Sequence, residues 1–428
     1  MQIQKLTNGV TIRGYTVLGV LLCVAVLQPV YASNILNIQE AELLAVKADP
    51  ALGVQTARAD ALDQTSIADG QLPDPKLKFS LFNYPTDTFS RTQEPITQLR
   101  FGVSQAIPRG NSLDIKSRQT STRAMFERAK RENQRLQIIQ ATRKSWLETY
   151  YWTHAEQIVR KNITLFAQLV DITEAQYASG KQKQQDVLRA ELERSVLDDR
   201  ITEIRNKQEQ ARAQLARWIG TDANRPLSEA FPNIAAVATP AEIETRMEAH
   251  PVLKIEAAKV QENKLGVDLA REAYKPGFNV GVDYGIRGGT NPDGTNRADF
   301  VAGTIVLDMP IFTDKRQNRR LAAAQKLKSA ALLSREDTIR AIRSELQKEY
   351  ADWQRLGERL ALYDKTLLHQ ARLNTEATFN AYQSDETDFN SLVRARITEL
   401  NTQLQALRIR VDRAKTQANL LYLAGEPQ

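Results

Sequence analysis

Three histidines, a single cysteine and one adjacent glycine pair are what this 428-residue chain offers for metal, nucleophilic or phosphate chemistry. A zinc-type site needs His, Cys or carboxylate ligands at close, regular spacing. His154, His250 and His369 are scattered and have no such companions. His250 precedes Pro251 and reads as a polar residue at the start of a helix. Gly288-Gly289 lies in a polar stretch with no helix behind it to complete a phosphate cradle. Trp146, Tyr150, Tyr151 and Trp152 form an aromatic cluster read as a packing belt. No Met or His stripe is present to carry a metal. The expectation is therefore no catalytic residue, no cofactor and no metal site: the chain is not an enzyme.

What does recur is a pattern of turns. Tyr177-Ala178-Ser179-Gly180, Arg189-Ala190, Leu215 and Gly220 are answered by Tyr382-Gln383-Ser384-Asp385, Arg394-Ala395, Leu420 and Gly425, each pair 205 positions apart. Upstream, Ala48-Asp49-Pro50-Ala51-Leu52 is answered by Ala249-His250-Pro251-Val252-Leu253 at a spacing of 201. Pro75 and Pro276 keep that spacing, and Pro108 and Pro310 lie 202 apart. One structural unit is written twice, and its period is far too long for a solenoid. The two turns differ in charge. Lys181 and Lys183 follow the first, whereas Asp385, Glu386 and Asp388 mark the second.

The elements that place these turns can be read from the N-terminus. Lys5 and Arg13 precede an apolar stretch, Tyr15 to Leu27, and Val30-Tyr31-Ala32 supplies small residues for cleavage, so 1–32 reads as a signal peptide. The stretch is too short for a spanning helix, which needs about 20 residues. Cys23 lies within it behind Leu22, which does not suit lipid attachment. Removing Lys5 and Arg13 from 58 basic side chains leaves 56 against 51 acidic ones, too small an excess to indicate nucleic acid. No later apolar run approaches 18 residues, which leaves a β-barrel as the only spanning option.

Each copy reads as helix, two strands and a long helical hairpin. The first repeat covers 33–220, with strands near 76–84 and 97–106 and a hairpin over 112–219. The second covers 241–428, with a helix over 241–273, strands near 277–286 and 299–309 and a hairpin over 313–424. A linker, 221–240, carries Pro226, Pro232 and Pro240. In the strands Leu77, Phe79 and Leu81 alternate with Lys76, Lys78 and Ser80, and Phe278, Val280, Val282 and Tyr284 alternate with glycines, Asn279 and Asp283. Period-two patterning sends these sets to opposite faces. Phe82, Tyr84, Phe89 and Phe312 stand near strand ends, where aromatic girdles occur. The first long helix would run roughly 100 Å at 1.5 Å per residue. Its counterpart is interrupted only by Gly357, and alanines such as Ala322, Ala323, Ala324, Ala330 and Ala331 mark a close-packed seam.

Two strands and a helical hairpin with Tyr-x-x-Gly at its turn, repeated behind a signal peptide, resemble the TolC-like outer-membrane efflux proteins over nearly the whole mature chain. The resemblance implies a mainly α fold with a small membrane β-barrel part. Three protomers would each give four strands to a twelve-stranded barrel, and internally duplicated helical hairpins would form a periplasmic α-barrel with the linker in an equatorial bulge. It also implies a passive export duct in the outer membrane, embedded in lipid. Its partners would be a periplasmic adaptor (membrane fusion) protein and an inner-membrane pump. Tyr177, Ser179, Gly180, Lys181, Lys183, Tyr382, Ser384, Asp385, Glu386 and Asp388 would be the periplasmic tips that meet the adaptor. Asp385 departs from the family's glycine. Ser391 and Arg394 occupy the channel-mouth positions where relatives carry an acidic pair, so that gate does not transfer intact.

Leu72-Pro73-Asp74-Pro75, Asn83-Tyr84-Pro85-Thr86-Asp87 and Ser104-Gln105-Ala106-Ile107-Pro108 look like the heavy-metal branch, whose partners are resistance-nodulation-division pumps. A drug, organic-solute or type I secretion duct of the same fold is the alternative. A periplasmic coiled-coil adaptor or scaffold is a further one, although an adaptor would want lipoyl-like and barrel domains that this chain lacks.

Overall fold

The computed structural model describes residues 35–181 and 183–425, so the expected signal peptide lies outside the described residues. Two short helices, α1 (Ile38–Ala48) and α2 (Pro50–Asp69), lead into strands β1 (Lys76–Phe82) and β2 (Gln98–Ile107). The first hairpin is α3 (Ser112–Ala178) and α4 (Gln184–Ile219). The second repeat begins with α5 (Pro240–Arg246) and α6 (Pro251–Glu272), then strands β3 (Gly277–Arg287) and β4 (Phe300–Asp308). It closes with α7 (Gln317–Leu362), α8 (Leu368–Gln383) and α9 (Phe389–Ala424).

Helix starts follow local chemistry. The Asp49 carboxylate accepts the Ala51 amide at 2.7 Å, and Pro50 takes the first helical position, where its missing N–H costs nothing. The single helix expected over 241–273 is instead broken at Met247–Ala249 and His250. There Pro251 restricts His250 to an extended backbone, which ends one helix and caps the next. Thr239 and Glu242 form a capping box ahead of α5.

His250 does more than cap. Only 2% exposed, it accepts the Val252 amide on Nδ1 at 3.2 Å and donates from Nε2 to the Tyr422 carbonyl at 3.0 Å. It also meets Gly425, whose left-handed backbone (φ 66°) ends α9 against the imidazole. This double role requires the neutral ring. Burial pushes its pKa below the ordinary histidine value, while the Tyr422 carbonyl pulls it the other way. The stability from His250 is therefore complete above the unfolded value of about 6.5 and is lost as pH falls through the lower folded value. His250→Asn keeps a capping acceptor but cannot titrate. Thermal unfolding midpoints of the variant should be flatter with pH below about 6.5 than those of the parent.

The hairpin arms are as long as their composition requires. Helix α3 has 67 residues, and α7, a π turn at Tyr363–Leu367 and α8 together reach the same length. The break thus falls at Tyr363 and not at Gly357. Gly357 stays helical, and a Cβ there would come within 3.0 Å of the Arg413 guanidinium, which lies over the Trp353 ring at 4.5 Å. Glycine leaves room for a crossing arginine.

The apolar core is distributed along the arms in three clusters. The central one gathers Leu36, Ile38, Trp146, Tyr150, Leu215 and Val411. Trp146 stacks on Tyr150 at 5.5 Å, and Phe231 from the linker meets Tyr150 edge-on at 5.5 Å. The aromatic belt is packing. The linker runs back beside the N-terminal segment, with Leu36 bridging Leu227 in parallel and Arg225 bound to Glu40 at 2.8 Å. The expected alanine seam is only partly closed within one chain: Ala331 is buried, while Ala322, Ala323 and Ala330 are exposed.

Candidate functional site

Strands β1 to β4 form one antiparallel sheet in the order β1-β2-β3-β4. The register sets Leu77 beside Val103, Phe79 beside Phe101, Phe101 beside Tyr284, and Val280 beside Ile305. All of the alternating apolar residues therefore share one face. That face is bare: Leu77 is 84% exposed and Val282 56%. Exposed apolar surface of this extent on a sheet marks contact with lipid or a partner. β1 and β4 are open edges, and edge amides cannot stay unpaired in hydrocarbon.

The opposite face carries the chemistry that the sequence did not reveal. Lys78, Gly102 and Asp283 lie in one row across β1, β2 and β3. Lys78 and Asp283 approach to 3.9 Å across Gly102, and a Cβ at 102 would fall on the Asp283 carboxylate. One level toward the loops, Gly285 lies beneath Gln98, which accepts Arg100 Nε at 2.9 Å. Arg100 lies over the Phe82 ring, 3.2 Å from its centroid, and Arg287 lies over Phe300 at 4.3 Å. Phe82 therefore belongs to the polar face, because it shares the parity of Lys76 and Lys78, and takes no part in a lipid-facing girdle. Phe89 and Phe312 remain exposed. At the helical end of the sheet, Arg109 binds Asp308.

The far ends of the hairpins carry the repeated turns. At the first, Gly180 has φ 74°, its amide reaches the Tyr177 carbonyl at 2.9 Å, and the Lys181 amide reaches Gln176 at 2.9 Å. At the second, Asp385 has φ 64°, its amide reaches Tyr382 at 3.2 Å, and the Glu386 amide reaches Ala381 at 2.8 Å. Both are Schellman-type stops, which favour glycine. Ser179 and Ser384 bond back to Gln176 and Asn380. Because Asp385 holds a conformation that is costly for an L-residue, Asp385→Gly should stabilise the hairpin by about 0.5–1 kcal/mol, and Gly180→Ala should destabilise it by about 1 kcal/mol. Denaturation midpoints of the two variants should move in opposite directions.

The two tyrosines are not equivalent in the single chain. Tyr382 is 1% exposed, donates to Gln176 Oε1 at 2.8 Å and meets Phe389, whereas Tyr177 is 48% exposed. Asp388 caps α9 by accepting the Ser391 amide at 2.8 Å. The Ser391 hydroxyl and amide, then the charges of Arg394 and Arg189, hold its carboxyl below the usual range. Ser391 and Arg394 thus gather around Asp388. Among the described residues no ion pair joins Lys181 or Lys183 to Asp385, Glu386 or Asp388, and no His, Cys or carboxylate cluster could hold a metal. No described helix is long and apolar enough to cross a membrane.

The family model for outer membrane efflux proteins matches residues 244–426, the second repeat. Among curated proteins none matches the sequence significantly. Solved structures are similar along almost the whole chain. The outer-membrane channel OprN is 16% identical with a TM-score of 0.76, covering 91% of this chain and 90% of its own. CusC, described by its transmembrane channel formation, is 13% identical with a TM-score of 0.76 and coverage of 91% and 92%. The outer membrane protein VceC of Vibrio cholerae is 15% identical with a TM-score of 0.73 and coverage of 91% and 96%. Identities this low establish the fold: mainly α, with long helices and four antiparallel strands, and TolC-like.

Proposed function

We propose that this chain is a TolC-like member of the outer membrane efflux protein family and the outer-membrane duct of a tripartite efflux system. It is a channel subunit and not an enzyme, with its sheet in the outer membrane and its helices in the periplasm. One observation carries the reading. A four-stranded sheet with a bare apolar face and two open edges tops helical arms of 67 residues that no compact domain requires. A sheet of four strands closes no barrel alone, and bacterial single-chain barrels begin at eight strands. Three copies joined edge to edge satisfy the edges and enclose a lumen lined by the polar face. Fractionation tests this: detergent-requiring, heat-modifiable trimers in the outer membrane are expected, and soluble periplasmic monomers would favour the scaffold or adaptor reading.

The tips are the docking end. Lys181 and Lys183 on one turn, and Asp385, Glu386 and Asp388 on the other, alternate around the closed mouth and attract one another between hairpins. Exposed pairs contribute only about 0–1 kcal/mol each, so the effect depends on the symmetric ring. Lys181→Glu with Lys183→Glu should raise single-channel conductance, and an unchanged conductance would remove the charge contrast from the gating account. For cargo, the resemblance of the strand-flanking runs to the heavy-metal branch supports a metal-exporting system with a resistance-nodulation-division pump and a periplasmic adaptor. Deletion followed by challenge with copper, silver, zinc, cobalt and cadmium salts tests it. Hypersensitivity confined to organic drugs would assign the duct to drug efflux.

A further inference from the structure

We infer that the outer end of the barrel wall favours anions over cations, through Arg100 and Arg287. This rests on the duct reading, which makes the polar face of the sheet the lumen wall. On that face the strands carry four basic residues, Lys76, Lys78, Arg100 and Arg287, and two acidic ones, Asp283 and Asp308. Both carboxylates are engaged, Asp283 with Lys78 and Asp308 with Arg109. Neither Arg100 nor Arg287 has a carboxylate within ion-pair distance among the described residues. Each guanidinium is held instead by a phenyl ring of the next strand and by neutral oxygens: Arg100 by Phe82 and Gln98, Arg287 by Phe300 and the Ala298 carbonyl at 3.2 Å.

This mode of holding leaves the charge intact. A ring face orients a guanidinium without neutralising it, and the ring that could have attracted a cation from the lumen is already covered. Both residues sit at the strand ends that adjoin the loops, away from the helices, because Phe82 pairs with Gln98 and Gln98 with Arg287. The two Arg–Phe pairs of each chain repeat around a closed barrel as a band of fixed positive charge, which concentrates anions near the wall. The competing field comes from the loops just above, which carry Arg91 and Arg297 beside Asp87, Glu94, Asp293 and Asp299, and the Asp299 carboxylate feels the charges of both Arg91 and Arg287. Of these carboxylates, Asp299 accepts the Tyr284 hydroxyl at 2.6 Å and the Arg287 amide at 2.9 Å, and Asp293 accepts Thr295. A metal cargo would accordingly leave as an anionic complex more readily than as a bare cation.

The test is the reversal potential of the purified full-length trimer in planar bilayers under a potassium chloride gradient. A chloride-over-potassium permeability ratio of about two or more is expected at low salt, falling as salt rises and screens the band. Arg100→Gln with Arg287→Gln should bring the ratio to one or below, while Arg100→Lys with Arg287→Lys should retain it. A parent channel that prefers potassium would overturn the inference and place control in the loop carboxylates, with the duct itself still standing. A selectivity unchanged by the glutamine pair would also overturn it. Absence of any current would instead strike at the duct reading.

Discussion

Val282→Arg should abolish accumulation of the trimer in the outer membrane, while Thr304→Arg should leave it intact. Val282 is the middle residue of β3, half exposed on the apolar face between Val103 and Gly303. A guanidinium at that depth would sit in hydrocarbon, at a cost of about 2–4 kcal/mol per chain, and symmetry would impose the cost three times. Thr304 on β4 pairs with Gly281 and lies on the opposite face, where the side chain would reach water in the lumen. The two sites share a sheet and differ by little more than direction. Heat-modifiable trimers counted in outer-membrane fractions measure the difference. Equal assembly of both variants would contradict the assignment of faces.

Trp146→Ala should cost about 3–5 kcal/mol, the range for truncating a large aromatic in a core. Trp146 has no exposed surface, stacks on Tyr150 and donates from Nε1 to the Leu36 carbonyl at 3.3 Å. Leu36 in turn bridges Leu227, so this one side chain ties the N-terminal segment, α3 and the linker together. Trp146→Phe keeps much of the packing and loses the donor, which should cost a smaller share, about 1 kcal/mol for the hydrogen bond itself. Thermal unfolding and proteolysis of the N-terminal segment should rank parent, Phe and Ala in that order. Loss confined to the N-terminal segment, with the helical midpoint unchanged, would mean that Trp146 ties down that segment without supporting the central cluster.

The alternation of Leu77, Phe79 and Leu81 with lysines and serine was enough to separate the faces of the sheet, because a period of two leaves each residue only two directions. The same rule, applied to Phe82, corrects its place among the aromatic girdles. Helical arms were legible from composition and from the absence of proline over 109–225 and 311–426. The π turn at Tyr363 was not, since no residue type marks it, while Gly357 suggested a break and proved to be a clearance for Arg413. The pairs on the polar face were also hidden. Lys78 and Asp283 belong to different repeats, and the β2–β3 register that brings them together cannot be read from either segment alone. Gly102 and Gly285 were the available signal, each lying under a polar side chain of its neighbour. Ala322, Ala323 and Ala330 of α7 and Tyr177 are exposed in the single chain, and the proposed trimer would give them a partner face.

Edge-to-edge closure of that sheet is the central claim, and crosslinking in intact cells reads it directly. Single cysteines on β1 and β4, at Ser80 and Thr304, sit on the two open edges in a chain whose only native cysteine, Cys23, lies in the expected signal peptide. Paired in one chain and bridged by a short thiol crosslinker, they should give covalent dimers and trimers from outer-membrane fractions, with the single-cysteine variants giving neither. A chain that stays monomeric in the crosslinked sample, and is recovered without detergent, would contradict the account.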